Sequence, residues 1–493
     1  MAKMKYWNGE LWETLDAKDA DTLDGKHAET ALTTTEKNDL AGAINEVKRS
    51  VDVHKADGTQ HAKTARFVIG TSEAGWTEKD CDYLCDGTND QEEINNAITA
   101  LLASGGEIVI LDGTYNITAS INIPKDNVSI RGNGNATVLK RMWDSSSPEG
   151  VITLISAKGC RVENLQIDGN KTEHTSEYNC GIYLVSSSNN NTITGNTCYN
   201  NSSDGIYLYS SSNNTITCNT CYNNYIHGIR LYSSSNNNTI TGNTCNNNNS
   251  CGICLYLSSN NNTITGNTYN NNNNGIYLSL SSNNNTITGN TCTNNNNNGI
   301  RLDSSSNNNT ITSNICTNNN NNGIRLASSS NNTITGNTCN NNYDGIYLYS
   351  SSNDNTIIGN TCNNNNDGIR LYSSSNNNTI TSNTCNNNTS SGICLDSSSK
   401  NTITGNSCND NNYCGICLDS SSNNNTTTGN TCIRGTGQTT DYAQNQYTIR
   451  LQGNDNKYNL ISLNNCMGKA VKVDGGTGNS VWGNKFDATN DLS

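Results

Sequence analysis

From Gly181 to Cys432 the chain repeats one phrase eleven times, and that period decides what it can fold into. In its most regular form the phrase is NNGIRLASSSNNTITGNTCN, at residues 321–340. Its Gly-Ile pairs begin at Gly181, Gly205, Gly228, Gly252, Gly275, Gly299, Gly323, Gly345, Gly368, Gly392 and Gly415, so the steps are 22 to 24 residues. A unit this short, with so few large apolar side chains, cannot bury a core alone and is stable only when stacked on its neighbours. The period therefore predicts a solenoid.

Inside the unit the periodicity is that of strands. Gly-Ile-x-Leu alternates, so Ile346 and Leu348 face one way while Tyr347 and Tyr349 face the other. A Ser-Ser-Ser-Asn turn follows, then a second strand, Thr-Ile-Thr, then Gly-Asn-Thr-Cys and an Asn-rich turn. Two or three short strands within ~23 residues make one coil of an all-β, single-stranded parallel β-helix, its strands pairing rung to rung at ~4.8 Å. Stacked helical repeats are the rival, but Thr, Asn, Gly and Ser are poor helix interiors.

Stacking also accounts for the composition. One asparagine per coil, from Asn196 and Asn219 through to Asn430, recurs at the same point of the phrase. Such a ladder lets side-chain amides bond along the axis and satisfies polar groups near the core. Two residues further on runs a cysteine ladder, Cys198 to Cys432, interrupted once by Tyr269. Cysteine here is a slim apolar filler. Side chains stacked in parallel seldom reach the dihedral a disulfide needs, so the expectation for the 21 cysteines is free thiols. Two Cys-Gly-Ile-Cys stretches, Cys251/Cys254 and Cys414/Cys417, look like half a zinc site. Strict alternation sends positions i and i+3 to opposite faces, so no metal and no cofactor are expected.

Taken in order, residues 1–66 read as an N-terminal attachment segment. In it Leu40, Ile44, Val47 and Val51 have the spacing of a short coiled-coil seam, which makes them the candidate trimerisation residues. Residues 67–106 read as a capping segment. Asn89 or Asp90 caps a helix carrying Ile94, Ala97, Ile98, Leu101 and Leu102 on one face, and Gly105-Gly106 ends it. A plug is required there, because an open first coil exposes its core and an unpaired edge. Irregular opening coils follow over 107–180, regular repeats over 181–432, and C-terminal coils with a cap over 433–493, where Asn464-Asn465-Cys466 still echoes the ladder.

The net charge is −13, and residues 181–432 hold eight Asp, four Arg and one Lys. This distribution forms no basic patch, so nucleic acid is not an expected partner. No apolar run is long enough to span a bilayer, and the first residues lack an export-type apolar core, so assembly in the cytoplasm without membrane insertion is expected.

The outward positions after Gly-Ile carry the candidate binding residues: Tyr207, Tyr209, Arg230, Tyr232, Arg301, Asp303, Tyr347, Tyr349, Arg370 and Tyr372. Tyrosine and arginine on a rigid face suit sugar stacking and hydrogen bonding, or a protein interface. Asp396 and Asp419 fall on adjacent rungs, with carboxylates near the spacing of a retaining glycosidase, and are the candidate catalytic pair. A general acid needs a raised pKa, and nothing in the sequence buries either one. The sequence thus leaves enzymatic activity open; a polysaccharide-degrading glycosidase or lyase is the class it would fit. The Thr-x-Thr array is compatible with ice binding and equally with plain strand-forming threonine.

Four parts of the chain resemble known families. DADTLDGKHA (residues 19–28) resembles a segment found near the start of phage tail fibres and related tail-like particles, and LAGAINEV (residues 40–47) resembles the trimerising helix of such fibres. The helix followed by GGEIVILDGTY (residues 105–115) resembles the entrance of the pectate-lyase-like superfamily, where an amphipathic helix plugs the solenoid. The repeats resemble right-handed β-helix repeat proteins, NosD-like proteins among them. Together these resemblances imply a right-handed β-helix in a homotrimeric tail fibre or tailspike, attached through its N-terminus to a phage tail or baseplate protein. Its location would be the virion tail, and its target a host cell-surface polysaccharide or protein. A polysaccharide depolymerase and a cell-surface or extracellular adhesin are the alternatives.

Overall fold

The computed structural model describes residues 4–7, 12–15, 65–433, 446–468 and 470–486. The seam residues Leu40, Ile44, Val47 and Val51 lie outside them. The chain divides into two compact units, Met1–Thr64 and Ala65–Ser493. In the first, Met4–Trp7 and Trp12–Leu15 pair antiparallel.

The second unit is a three-sided parallel solenoid. A representative coil consists of Asn274–Leu278, Thr286–Thr288 and Thr291–Thr293, and every strand pairs in register with its counterpart in the next coil. Ile276 sits on Ile300, Ile287 on Ile311 and Cys292 on Cys316. Three sheets result. The Gly-Ile sheet has 15 strands, from Ile121–Ile123 to Lys472–Val473. The Thr-Ile-Thr sheet continues in both directions, from Arg66–Thr71 and Tyr83–Cys85 at one end to Ser480–Trp482 at the other. The Thr-Cys sheet is 9-stranded up to Ile315–Thr317 and persists beyond as single bridges through Thr338, Thr361, Thr384, Ser407 and Thr431.

The corners explain the Asn and Ser content. Each sharp bend needs a left-handed backbone conformation, which among residues with a Cβ is least unfavourable for Asn and other short polar types. In one coil Ser281, Asn284 and Asn294 occupy it at φ 62°, 57° and 55°, and Gly289 does so at 62°.

Inside, each coil contributes little more than two isoleucines, a leucine and a cysteine, as with Ile276, Ile287, Leu278 and Cys292, all fully buried. Three asparagine ladders, not one, run through the walls. The expected ladder includes Asn290 and Asn314; a second passes through Asn285 and Asn309, and a third through Asn295 and Asn319. In each, the side-chain carbonyl accepts both the backbone N–H and the amide N–H of the asparagine one coil before. For Asn314 these bonds from Asn290 are 2.9 and 3.0 Å. Most of the buried asparagine amides are thus satisfied along the described coils, with Asn201 Oδ1 and Asn214 Nδ2 as exceptions.

Helix α1 (Gln91–Ala100) buries Ile94, Ala97 and Ile98 and packs against the Ile121–Ile123 and Tyr83–Cys85 strands, closing the first coils as the amphipathic pattern predicts. Asp90 does not cap it through its side chain; that carboxylate instead accepts the N–H groups of Gly87 and Asn116 at 2.8 and 2.6 Å, tying the loop to the first coil.

All 21 cysteines are free thiols, and the ladder cysteines are buried. Burial pushes the Cys385, Cys408 and Cys432 thiols up, away from the reactive thiolate. Cys218 differs: it stands exposed at a left-handed corner, φ 55°, where other coils place glycine. A thiol reagent is therefore expected to modify Cys218 fastest in the folded chain, with the half-buried Cys81 and Cys394 slower. The ladder cysteines should react only after unfolding, as peptide mass mapping of the labelled protein would check.

Candidate binding face

The geometry of the Gly-Ile sheet turns on its glycines. A Cβ on Gly299 would lie 2.6 Å from the Gly323 carbonyl oxygen and 2.9 Å from Cys316 Cβ, so this glycine faces the core, and so does the fully buried Ile300 beside it. Two successive inward residues break the alternation, and the glycine is obligatory because only a hydrogen fits. The residue before glycine and the residue after isoleucine therefore both face outward, three positions apart. The expectation that Cys251 and Cys254 point to opposite faces is overturned for this reason: both lie on the outer face, with their sulfurs within 4.8 Å of each other.

Three outward columns follow along the sheet. The one before glycine includes Asp204, His227, Cys251, Asn298, Asn322, Asp344 and Asp367, all buried. The one after isoleucine includes Tyr207, Arg230, Cys254, Tyr277, Arg301, Arg325, Tyr347 and Arg370. The third, two residues beyond, holds Tyr209, Tyr232, Tyr256, Asp303, Tyr349, Tyr372, Asp396 and Asp419.

The charges and rings are interlocked. Arg230 pairs with Asp204 at 3.5 Å and lies 4.8 and 4.5 Å from the ring centres of Tyr207 and Tyr232. Arg301 Nε and Arg325 Nη1 each reach the Asp303 carboxylate at 2.7 Å. Arg370 lies 3.9 Å from Asp367, between the rings of Tyr347 and Tyr372. Tyr209 stacks on Tyr232, and Tyr349 on Tyr372, both at 5.8 Å.

The sequence candidates divide accordingly. Tyr209 is exposed; Tyr232, Tyr349, Tyr372, Arg230, Arg301, Tyr347 and Arg370 are half-buried. Tyr207 is buried against Tyr183 and Cys180, and Asp303 is buried under its two arginines, so both support the face from below. Asp396 and Asp419 do stack in register, each accepting a bond from the serine that follows it.

The carboxyls with raised pKa are others. Burial, and after it the adjacent Asp367 carboxylate, push Asp344 up to about 7 against the pull of Arg370, and burial raises Asp367 as well. Both are nearly inaccessible, at 2% and 3% exposure. Asp204, His227, Asp344 and Asp367 escaped sequence reasoning, which assumed unbroken alternation. The signal that finds them is the glycine fixed before every isoleucine.

Two groups of His, Cys and carboxylate side chains among the described residues bring ligand atoms within 4.8 Å: His227, Cys251 and Cys254 on this face, and Cys85, Asp90 and Glu93 beside α1. In the second, the Asp90 oxygens are already taken by backbone N–H groups.

Two family models match the chain. The right handed β-helix region matches residues 108–291, and the periplasmic copper-binding protein NosD model matches residues 252–390, 305–462 and 372–493. No curated protein sequence matches it. Among solved structures it is similar to the A-modules of the Azotobacter vinelandii mannuronan C-5 epimerases AlgE6 and AlgE4. The first has TM-score 0.52 and 18% identity, over 80% of this chain and 96% of the module. The second has TM-score 0.51 and 17% identity, over 79% and 99%. It is also similar to the pre-mature bacteriophage phi29 gene product 12, with TM-score 0.50 and 13% identity over 80% of this chain and 72% of that one. At such identities the likeness is one of fold, a fold shared by phage proteins and polysaccharide-acting enzymes. The in-register coils and these matches together make the chain a right-handed parallel β-helix protein.

Proposed function

We propose that this chain is the host-recognition rod of a phage tail fibre or phage-tail-like particle, and that its Gly-Ile face lies along a cell-surface polysaccharide. The observation that carries the reading is compositional focusing. All four arginines of the regular repeats, six of their eight aspartates and the tyrosine stacks Tyr209–Tyr232 and Tyr349–Tyr372 gather on this one sheet, while the other two are clothed mostly by Thr and Asn, with one tyrosine stack, Tyr199–Tyr222. The Gly-Ile stacks are five rungs apart, ~24 Å at the usual rung spacing, with Arg301 and Arg325 between them. Only an extended polymer spans that distance. Stacked aromatic rings with fixed hydrogen-bonding groups are what a pyranose face and its hydroxyls need. The similarity to mannuronan epimerase modules and to a phage gene product is consistent with this use of the fold.

Binding is preferred to cleavage because the carboxyl raised to about 7, Asp344, is shielded from any ligand on the face. The fibre assignment rests on the DADTLDGKHA and LAGAINEV resemblances, with Leu40, Ile44, Val47 and Val51 as the trimer seam.

Two measurements test it. Replacing Tyr209, Tyr232, Tyr349 and Tyr372 together by alanine is expected to weaken polysaccharide binding at least about tenfold, from the ~0.5–1.5 kcal/mol an aromatic contact contributes. Replacing Thr239 and Thr263 by serine on the neighbouring sheet should leave it unchanged. Equal losses from both would remove the face from the account. Solution mass should give a trimer for the full chain and a monomer for a chain starting at Phe67; a full-length monomer would remove the fibre reading.

A further inference from the structure

We propose that His227, Cys251 and Cys254 form a binding site for one thiophilic d10 metal ion, zinc(II) or copper(I). Their candidate ligand atoms all lie within 4.8 Å of one another. Around a bound ion, with metal–sulfur bonds of ~2.3 Å and metal–nitrogen bonds of ~2.0–2.1 Å, donors stand ~3.5–4 Å apart, so only a small contraction is needed. Two thiolates and an imidazole are a soft donor set, which selects zinc or copper(I) over calcium, magnesium or manganese.

The position of these cysteines supports a role other than packing. The ladder cysteines point inward and fill the core. Cys251 and Cys254 point outward, in columns where most other coils place Asp, Asn, Arg or Tyr and where only Cys394, Cys414 and Cys417 recur among the later coils. The Gly252 bulge brings them together, and a Cβ at that glycine would collide with the Tyr269 ring at 2.4 Å, so the bulge is locked from inside. His227 comes from the preceding coil. Its Nδ1 accepts the Cys251 N–H at 3.2 Å, which fixes the ring beside this strand; binding a metal through Nε2 would keep that bond, and binding through Nδ1 would replace it. All three side chains are at most 4% exposed.

Arg230 adds an independent indication. It pairs in register with Cys254, and its buried Nε has no hydrogen-bond partner. A metal-bound thiolate at Cys254 would give that N–H an acceptor, the kind of outer contact that tunes a metal-bound ligand. Three protein donors suit copper(I) directly; zinc(II) would complete its shell with a water molecule.

The chain carries its own control. Cys414-Gly-Ile-Cys417 has the same bulge, but the residue before glycine in the coil below is Ser391 rather than histidine. The test uses the full-length protein, reduced, treated with chelator and titrated anaerobically with zinc(II) or with copper(I) against a chromophoric competitor. The expected result is one ion per chain whose affinity falls about 100-fold in Cys251→Ser/Cys254→Ser and about tenfold in His227→Gln, the range in which loss of a supporting group already weakens a site. Cys414→Ser/Cys417→Ser should bind as the parent does. Which metal wins the competition identifies the ion. Equal affinity in the parent and in Cys251→Ser/Cys254→Ser, or loss in the Cys414/Cys417 variant alone, would overturn the proposal. So would a Cys251–Cys254 disulfide that re-forms in place of metal uptake.

Discussion

Asn314→Ala should destabilise the chain by about 3–5 kcal/mol, as should truncation of the ladder asparagines that make the same bonds, such as Asn337 and Asn360. Asn314 accepts two bonds from Asn290, one from the backbone N–H and one from the amide, and its own Nδ2 donates to the Ile287 carbonyl and to Asn337 at 2.9 Å each. Truncation strands a buried backbone donor and the neighbouring amides where water cannot reach, and each orphaned group costs about 1–3 kcal/mol. Asn320, exposed on the turn of the same coil, provides the comparison: Asn320→Ala should change stability by no more than about 0.5 kcal/mol. Urea midpoints followed by far-ultraviolet circular dichroism check both. Similar effects for the two would mean the ladders are ornament rather than scaffold.

The second large effect has the opposite sign. Asp344 stands next in register after Asn322, which itself bonds Asn298 through Nδ2 at 2.9 Å. With its folded pKa at about 7, against an ordinary aspartate value of 3.8, this carboxyl favours the folded state least when ionised. The sign follows from linkage. Below about pH 4 the group is protonated in both states and imposes no penalty; the penalty grows between about pH 4 and 7 and is complete above. Asp344→Asn should therefore stabilise the chain at pH 8 by on the order of 3 kcal/mol and extend the Asn298–Asn322 ladder by one rung. At pH 4 the variant and parent should unfold at nearly the same midpoint. A variant less stable at pH 8 would mean that the pairing with Arg370 outweighs the burial penalty.

These two residues also show how far the sequence can be read. The period of the Gly-Ile pairs and the Thr-Ile-Thr alternation were enough for the solenoid and its in-register stacking, because each follows from local rules applied once per coil, and the amphipathic spacing of Ile94, Ala97 and Ile98 was enough for α1. One asparagine ladder was visible beside the cysteine column. The other two, through Asn285 and Asn295, were hidden among corner asparagines of identical type, since only three-dimensional register separates an inward Asn from a turn Asn. The outer face was read correctly beyond isoleucine and wrongly before glycine. Alternation is a rule about strands without bulges, and here every Gly-Ile step contains one. That single departure hid Asp204, His227, Asp344 and Asp367, and with them the approach of Cys251 to Cys254. Tyr207 and Asp303 face outward as expected but are covered by neighbouring side chains, the first by Tyr183 and the second by Arg301 and Arg325, which one chain position cannot reveal.

A glycan lying along the Gly-Ile face, as proposed, would shield that sheet's amides from solvent. Hydrogen exchange of the full-length protein, with and without a saturating polysaccharide that binds it, tests this most directly. Exchange should slow at Ile206–Tyr209, Ile229–Tyr232, Asp344–Tyr349 and Asp367–Tyr372, with Thr239–Thr241 and Thr263–Thr265 unchanged. Protection confined to the Thr-Ile-Thr strands, or to residues 1–64, would contradict it.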